Sequence, residues 1–389
     1  MEKVRLGIIG VAGRGRILRF WREDPRVEVI AGADISDERL AQFQKENERA
    51  DIYTDFRRLV ERKDIDAIAI TSPDYVHEEH AVAALEAGKH VFCEKPLAIT
   101  VEGCDHILSA WKASNRKLMV GFNMRYRNMF RTMKEVVDSG AIGEVKAVWV
   151  RHFVGLGGEY YFHDWHGNKK NCTSLLLQKG SHDIDMIHWL TGQWGKRVAA
   201  FGSLDYYGGN EPNDLFCPEC SKKDICPDEG ISLKQCAFRQ EIDIEDNNIV
   251  IMELENGIKA SYLQCHFTPD YHRNYVLIGT EGRIENSQPD GKVWVKTRRR
   301  YGNKSLADCT YEIKPAEVEE GHGGADPKIC KDFIDMLVED KEPKVHPLAG
   351  RMSVAVGVAA TNSLRNRGMA IDVAQLPSHL EQLKKGTNF

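Results

Sequence analysis

The chain has 389 residues, 53 basic and 58 acidic, with a net charge of -5 and a pI near 6.3. Its basic residues are dispersed apart from Arg298-Arg299-Arg300, which reads as a solvated strand end or turn, so nucleic acid is not an expected partner. No apolar run approaches the roughly 18 residues of a membrane-spanning helix, and a strand pattern begins within a few residues of Met1. The expectation is a cytoplasmic protein with no signal peptide and no membrane partner.

The length predicts two domains, since a typical domain holds roughly 100 to 200 residues. Ten cysteines are too few for a disulfide scaffold. Lys3 to Gly10 reads as a short buried strand, and Gly10-Val11-Ala12-Gly13-Arg14-Gly15 follows before a helical stretch through Trp21. This is G-x-A-x-x-G, with alanine where the dinucleotide fingerprint prefers its second glycine. A glycine-rich turn entering a helix offers unpaired N-H groups and a positive dipole end to a pyrophosphate. The next strand, Val27 to Ala33, ends at Asp34, where a carboxylate accepts from ribose hydroxyls and repels a 2'-phosphate. NAD is therefore expected over NADP.

The α/β alternation continues. Asp55 to Lys63 reads as helix and Ile65 to Ile70 as strand, with Thr71-Ser72-Pro73 and His77 in the loop beyond. After a helix from Glu78 to Ala87, a strand runs into Glu94-Lys95-Pro96. A lysine where a buried strand meets a loop can lose solvation and become useful for proton transfer, and the proline biases it away from helix. A further helix, Val101 to Ser114, leads to the strand Lys117 to Gly121 and then to Phe122-Asn123-Met124-Arg125-Tyr126, with Arg125 a candidate substrate contact. Successive strand ends thus present polar residues on one edge, the predicted cofactor edge.

The glycine turn, Thr71-Ser72-Pro73 with His77, Glu94-Lys95-Pro96 and Gly121 to Tyr126 together resemble the glucose-fructose oxidoreductase and inositol dehydrogenase (Gfo/Idh/MocA) family of NAD(P)-dependent sugar enzymes. The resemblance covers essentially the whole chain. It implies a Rossmann domain over residues 1-122 and an α+β domain with a large, mostly antiparallel open sheet over 123-389, used for substrate binding and oligomerisation. It also implies that Lys95 lies beside nicotinamide and sugar, often with a cis bond to Pro96, and that Thr71, Ser72, Pro73, His77, Glu94 and Asn123 line the dinucleotide together with the glycine turn (Gly10, Ala12, Gly13, Arg14, Gly15) and Asp34.

Beyond a helix from Arg127 to Ser139 the strands begin at Val145 to Val150 and continue at Arg197 to Tyr206, Asn248 to Leu254, Ile258 to Phe267 and Tyr275 to Thr280. One face of such a sheet needs cover, which the family usually supplies with another subunit, so a homodimer or homotetramer is expected. Leu175 to Trp189 reads as a helix carrying Gln178, Lys179, His182 and Asp183. The resemblance is to the family's D-x-G-x-H-x-x-D segment, in which an acid and a histidine four residues later assist proton transfer. Gln178 stands at the acid's position and cannot take a proton at neutral pH. Lys95 and His182 are the expected proton-handling residues, Lys179 an additional catalytic candidate, and Gln178 and Asp183 candidate substrate contacts.

Tyr160, Tyr161, His163, Trp165 and His166 form an aromatic, polar loop suited to sugar faces and hydroxyls, as is His322 in Gly321 to Asp326, where Asp326 reads as a helix cap. A polar insert over 208-239 carries Cys217, Cys220, Cys226 and Cys236, a candidate set for structural zinc, with an iron-sulfur cluster or free thiols as alternatives. The tail from Asp372 reads as polar and peripheral. The leading functional expectation is NAD-dependent oxidation of a secondary hydroxyl of a sugar, polyol or glycoside. The rivals are a redox-neutral, NAD-dependent glycosidase and a non-catalytic dinucleotide-sensing regulator.

Overall fold

The structure is a computed structural model that describes residues 3-155, 157-230, 235-298, 305-314 and 320-386. The chain divides into two compact units. The first comprises Met1–Arg127, Pro315–Val354 and Gln375–Asn388, and the second Asn128–Lys314 and Ala355–Ala374.

The first unit holds a six-stranded parallel sheet: β1 (Val4–Ile9), β2 (Val27–Ala33), β3 (Asp51–Tyr53), β4 (Ala67–Ile70), β5 (His90–Cys93) and β6 (Leu118–Val120), in the order β3-β2-β1-β4-β5-β6. β3 is too short to show a pattern in the sequence. β4 and β6 are apolar and buried at every position, as strands covered on both faces must be. The connecting helices start on side-chain caps: Ser36 accepts from Arg39 N-H, Asp55 from Arg57 N-H and Thr100 from Gly103 N-H. Register then decides where the functional turns lie. Ile9 pairs with both Ala33 and Ile70, Ile70 with Cys93, and Cys93 with Val120, so Gly10, Asp34, Thr71, Glu94 and Gly121 leave the sheet at one level.

The sequence-based boundary at 122/123 assigns residues 315-354 and 375-388 to the second domain, whereas the structure groups them with the first. The reason is packing. Trp21 is fully buried edge-on to Phe92 and to Phe333 of the helix Glu320–Val338, and its Nε1-H donates to Cys330 O at 3.0 Å. The tail is not peripheral either, because Leu376 and Leu380 are buried and Lys112 Nζ donates to His379 O at 2.7 Å.

The second unit is built on a nine-stranded sheet: β7 (Val145–Phe153), β8 (Gly195–Ser203), β9 (Asn247–Leu254), β10 (Lys259–Cys265), β11 (His272–Gly279), β12 (Gly282–Ser287), β13 (Lys292–Thr297), β14 (Cys309–Glu312) and β15 (Ile371–Asp372). Its order is β14-β13-β12-β11-β7-β10-β9-β8-β15, antiparallel except for the β7-β10 pair. Strict alternation of burial along β9 gives the sheet one inner and one outer face. The helix Gly180–Thr191 lies on β7 and β10. The basic triplet begins one residue after β13, and Arg299 and Arg300 lie outside the described residues. Among the described residues, no helix is long and apolar enough to cross a membrane.

Candidate functional site

In the first unit the glycine turn is held by close approach. A Cβ on Gly10, whose φ is +89°, would stand 2.6 Å from Ser72 N, and one on Gly15 would stand 2.3 Å from Gly10 O. Gly13 (φ +56°) has open space where a side chain would go, a cradle that suits a phosphate-bearing ligand. Ala12 is extended (φ -109°, ψ 177°), a conformation open to any L-residue, which explains why alanine serves at the fingerprint's second glycine. Asp34 accepts Val11 N-H at 3.2 Å and Ser36 N-H at 3.1 Å, which fixes its carboxylate at the end of β2. These residues fit a dinucleotide: donors at the turn, room beside Gly13, and an acid for the ribose.

The remaining strand ends are cross-tied. Thr71 Oγ1 donates to Gly10 O at 2.7 Å. His77 is fully buried, its Nδ1 at 2.7 Å from Pro96 O and its Nε2 at 2.9 Å from Ser72 O, so it joins the Thr71-Ser72-Pro73 turn to the turn after β5. Ser72 Oγ meets His80 Nδ1 at 2.9 Å, and burial pushes the His80 imidazole down to about 4. The Lys95-Pro96 bond is cis, and Lys95 is partly exposed immediately beyond β5.

Arg14 is the electrostatic hinge of this edge. Its Nε faces Glu94 Oε1 at 2.5 Å, and Nη1 and Nη2 donate to Asp326 at 2.7 and 2.9 Å. Asn123 Nδ2 donates to the same carboxylate at 2.8 Å, and His322 Nδ1 lies 2.8 Å from it. Burial alone would raise the Asp326 carboxyl, but His322 and Arg14 hold it well below the usual carboxylate range. Asp326 therefore anchors this cluster. Residues Gly321 to Gly324 before it all have left-handed φ, a conformation three glycines make inexpensive and His322 shares.

In the second unit the helix expected from Leu175 is broken into Leu175–Gln178 and Gly180–Thr191, with Lys179 between them. Gly180 permits close contact there, since a Cβ would stand 3.1 Å from the Tyr262 ring. Gln178 and Asp183 are buried, whereas Lys179 and His182 are partly exposed. Asp183 is enclosed: Tyr262 Oη donates to it at 3.0 Å and Tyr275 Oη also donates, His152 Nδ1 lies 3.1 Å away, and Arg273 Nε forms an ion pair at 3.1 Å. Burial would raise its carboxyl, but Arg273 foremost, with His152 and Tyr275, holds it far below the ordinary value. Burial pushes the His152 imidazole down to about 3. This geometry makes Asp183 a buried anchor. Lys179 Nζ lies 5.3 Å from the Tyr161 ring centroid and 5.7 Å from that of Tyr271.

The aromatic loop separates into roles. Tyr160 is exposed, Tyr161 is buried edge-on to His266, and Trp165 stacks on His166 at 3.6 Å. His163 is buried and bonds Gln235 O and, at 2.7 Å, Asp228 O, so it fastens the cysteine insert. In that insert Cys217, Cys220 and Cys236 each accept a backbone N-H at 3.4 Å. All four cysteines are free, and no group of three or more potential ligands is gathered for a metal ion among the described residues. The expected zinc set is therefore not found among the described residues.

Sequence reading missed His152, Tyr262, Tyr271, Arg273 and Tyr275, which come from three strands and the turn before β11. Their signal is polar residues at inward positions: register aligns Arg273 with His152 and His152 with Gln264 on the buried face. Among the candidates, Lys95, Glu94, Arg14, Asn123 and His322 belong to the first unit, and Gln178, Lys179, His182, Asp183 and the aromatic loop to the second.

A Rossmann sheet with a glycine turn and an acid at the end of β2, followed by a unit with a broad mixed sheet, defines a dinucleotide-dependent oxidoreductase class. Residues 4-122 match the oxidoreductase family's NAD-binding Rossmann fold and residues 134-373 its C-terminal alpha/beta domain, so the chain belongs to the Gfo/Idh/MocA oxidoreductase family. It is 27% identical over 332 residues to YteT of Bacillus subtilis (strain 168), covering 76% of this chain and 77% of that protein. It is 37% identical over 191 residues to inositol 2-dehydrogenase of Pseudomonas savastanoi pv. phaseolicola, an alignment spanning 48% of this chain and about half, 54%, of that relative. Similar folds include scyllo-inositol dehydrogenase of Lactobacillus casei with bound NAD(H) and scyllo-inositol (TM-score 0.73, 22% identity, 96% of this chain and 100% of that one). Levoglucosan dehydrogenase in complex with NADH and levoglucosan is another (TM-score 0.78, 21% identity, 96% and 100%).

Proposed function

We propose that the protein oxidises a secondary hydroxyl of a cyclitol, sugar or glycoside with NAD. The observation that carries this reading is the level strand edge, where the Gly10 turn, Asp34 and Glu94-Lys95-Pro96 emerge together. The glycine turn and Asp34 would hold the pyrophosphate and ribose, with Thr71 to Pro73, Glu94 and Asn123 alongside. When bound, the nicotinamide supplies the hydride acceptor. Lys95 and His182 handle the hydroxyl proton, which must leave as the carbonyl forms because a bare alkoxide is costly away from water. The exposed Tyr160 and Trp165 beside His166 offer aromatic faces to the sugar. The names of the inositol and levoglucosan dehydrogenases support this substrate class.

The test is a panel of inositols, hexoses, anhydrosugars and glycosides with NAD and with NADP, followed by reduced-cofactor absorbance. Lys95→Ala should bind NAD normally and lose turnover; near-normal turnover rejects its role. Aglycone release from a glycoside with no reduced cofactor accumulating favours the glycosidase reading instead.

We further propose that a second copy of the chain covers the outer face of the second unit's sheet. Trp149, Phe201, Ile249, Ile251 and Leu263 stand exposed there on the four adjacent strands β7, β10, β9 and β8, an apolar patch of the kind that marks an interface.

A further inference from the structure

At the edge of the first unit's sheet opposite the glycine turn lies a cavity of about 320 Å3, whose lining includes Lys63, Asp66, Gly88, Lys89, His90 and Arg116. It sits wholly within this unit, at the starts of β4, β5 and β6, where Ala67 pairs with His90 and Val91 with Leu118. The four residues of β4, about 13 Å of strand, separate it from the cofactor edge.

Its charges do not balance. Lys89 is buried, and a buried ammonium normally has a carboxylate beside it. Here the two carboxylates near it are committed elsewhere: Asp66 accepts from Arg5 Nε at 3.0 Å and Nη2 at 2.7 Å, and Asp64 from Arg62 Nε at 2.9 Å and Nη2 at 2.6 Å. Lys89 Nζ instead donates to the carbonyls of Arg62 and, at 3.0 Å, Ile65, which leaves one of its three N-H bonds unused among the described residues. Lys63 and Arg116 are exposed, and among the described residues neither side chain has a hydrogen bond or ion pair. The Arg116 guanidinium lies over Gly88 (φ +73°), where a Cβ would stand 3.7 Å from Nη2. His90 Nδ1 accepts Lys117 N-H at 3.0 Å and burial lowers its imidazole, so the neutral ring carries its hydrogen on Nε2, a further donor.

We propose that this cavity binds a phosphoryl group, either inorganic phosphate or the phosphate end of a small phosphorylated metabolite. The lining offers cations and donors whose own carboxylates are taken, and a tetrahedral dianion accepts from all of them. Arg116 supplies the planar fork, Lys63 and Lys89 the point charges. Burial foremost lowers the Lys89 amine, opposed by Asp66 and Asp64, and Arg116 adds to the lowering, a repulsion that a bound anion would relieve. The volume stands at the lower end of the roughly 300-1,000 Å3 of small-molecule sites, room for a phosphate with a short carbon skeleton. This site goes beyond the oxidation reading and needs neither the second unit nor a nicotinamide.

The experiment titrates the full-length protein, with NAD in excess to occupy the glycine turn, using inorganic phosphate, glycerol 3-phosphate and glucose 6-phosphate. Sodium chloride and succinate at equal ionic strength are the controls, and calorimetry and melting temperature are the readouts. Phosphate should bind and raise the melting temperature beyond both controls, as a ligand of the folded state does. Arg116→Gln should weaken phosphate binding about 10-fold or more, the effect of losing a charge-assisted hydrogen bond, and Lys63→Gln with it should weaken it further, NAD affinity staying intact. Both side chains are exposed, so the variants fold, whereas replacing Lys89 would leave the Arg62 and Ile65 carbonyls unpaired. Tighter binding of a phosphorylated compound than of phosphate supports a metabolite site, and equal affinity supports a site for phosphate itself. Phosphate acting no better than chloride or succinate, or the double variant binding phosphate like wild type, overturns the proposal. No readout uses turnover, so either failure leaves the dehydrogenase reading standing, and a protein that binds phosphate here yet oxidises no member of the panel overturns that reading alone.

Discussion

Arg14 donates Nη1 and Nη2 to the two oxygens of Asp326, at 2.7 and 2.9 Å, while its Nε faces Glu94. One side chain on the glycine turn thus joins the end of β5 to the helix Glu320–Val338, whose Asp326 lies 312 residues beyond Arg14. Arg14→Leu leaves two nearly buried carboxylates without their cation, so it should destabilise by about 3-5 kcal/mol at neutral pH. In the wild type the Asp326 carboxyl is held below its unfolded value of about 3.9. Its contribution is therefore full above that value and is lost as pH falls through the folded value. In the variant the uncompensated pair gains from taking up a proton, so part of the loss should return at mildly acidic pH. Urea unfolding at neutral pH and near pH 5 measures both; equal midpoints for variant and wild type at neutral pH would contradict the account.

Asp183 presents the same physics in the second unit. Asp183→Asn leaves Arg273 buried beside an amide, and the expected cost is again about 3-5 kcal/mol. The wild-type carboxyl is depressed, so this contribution should hold above about 3.9 and fade only at lower pH, a limb the variant lacks. Burial foremost, then Arg273, pushes the Lys179 amine down to about 7, and removing the nearby negative charge should move its midpoint further down, because Asp183 is the group that raises it. An unchanged Lys179 titration in Asp183→Asn would show that the two do not interact.

Cofactor choice should follow Asp34. Asp34→Ser removes the acceptor for the ribose hydroxyls and the repulsion of a 2'-phosphate, and Arg39 Nη1 stands 3.9 Å from the carboxylate, ready to meet a phosphate. kcat/KM should fall with NAD by roughly 10- to 100-fold, the equivalent of a charge-assisted hydrogen bond of about 1.5-3 kcal/mol, and rise with NADP. Unaltered NAD preference would place discrimination elsewhere.

The outer sheet face is tested by charge. Ile251 is 58% exposed between the edge strands of the patch, so Ile251→Glu should fold normally yet shift the mass measured by light scattering toward the monomer. A wild type that is monomeric at micromolar concentration removes the proposed second copy.

Local pattern was enough for the first unit. The strand-turn-helix rhythm, the glycine turn, Asp34 and Glu94-Lys95-Pro96 could all be read from residues adjacent in the chain, because a parallel α/β sheet encodes each strand as a short apolar run closed by its own turn. What needed the tertiary structure were meetings between distant segments. Arg14 with Asp326, and Asp183 with Tyr262, Tyr275, His152 and Arg273, are set by strand register and by the return of the helix Glu320–Val338 to Trp21, neither of which leaves a local periodicity. The same is true of His163, which the sequence offered as a sugar contact and the fold uses to fasten the cysteine insert. Chain chemistry named the ionisable groups; burial and pairing, which depend on what lies across the sheet, decided which of them stay charged and which are left with a proton to exchange.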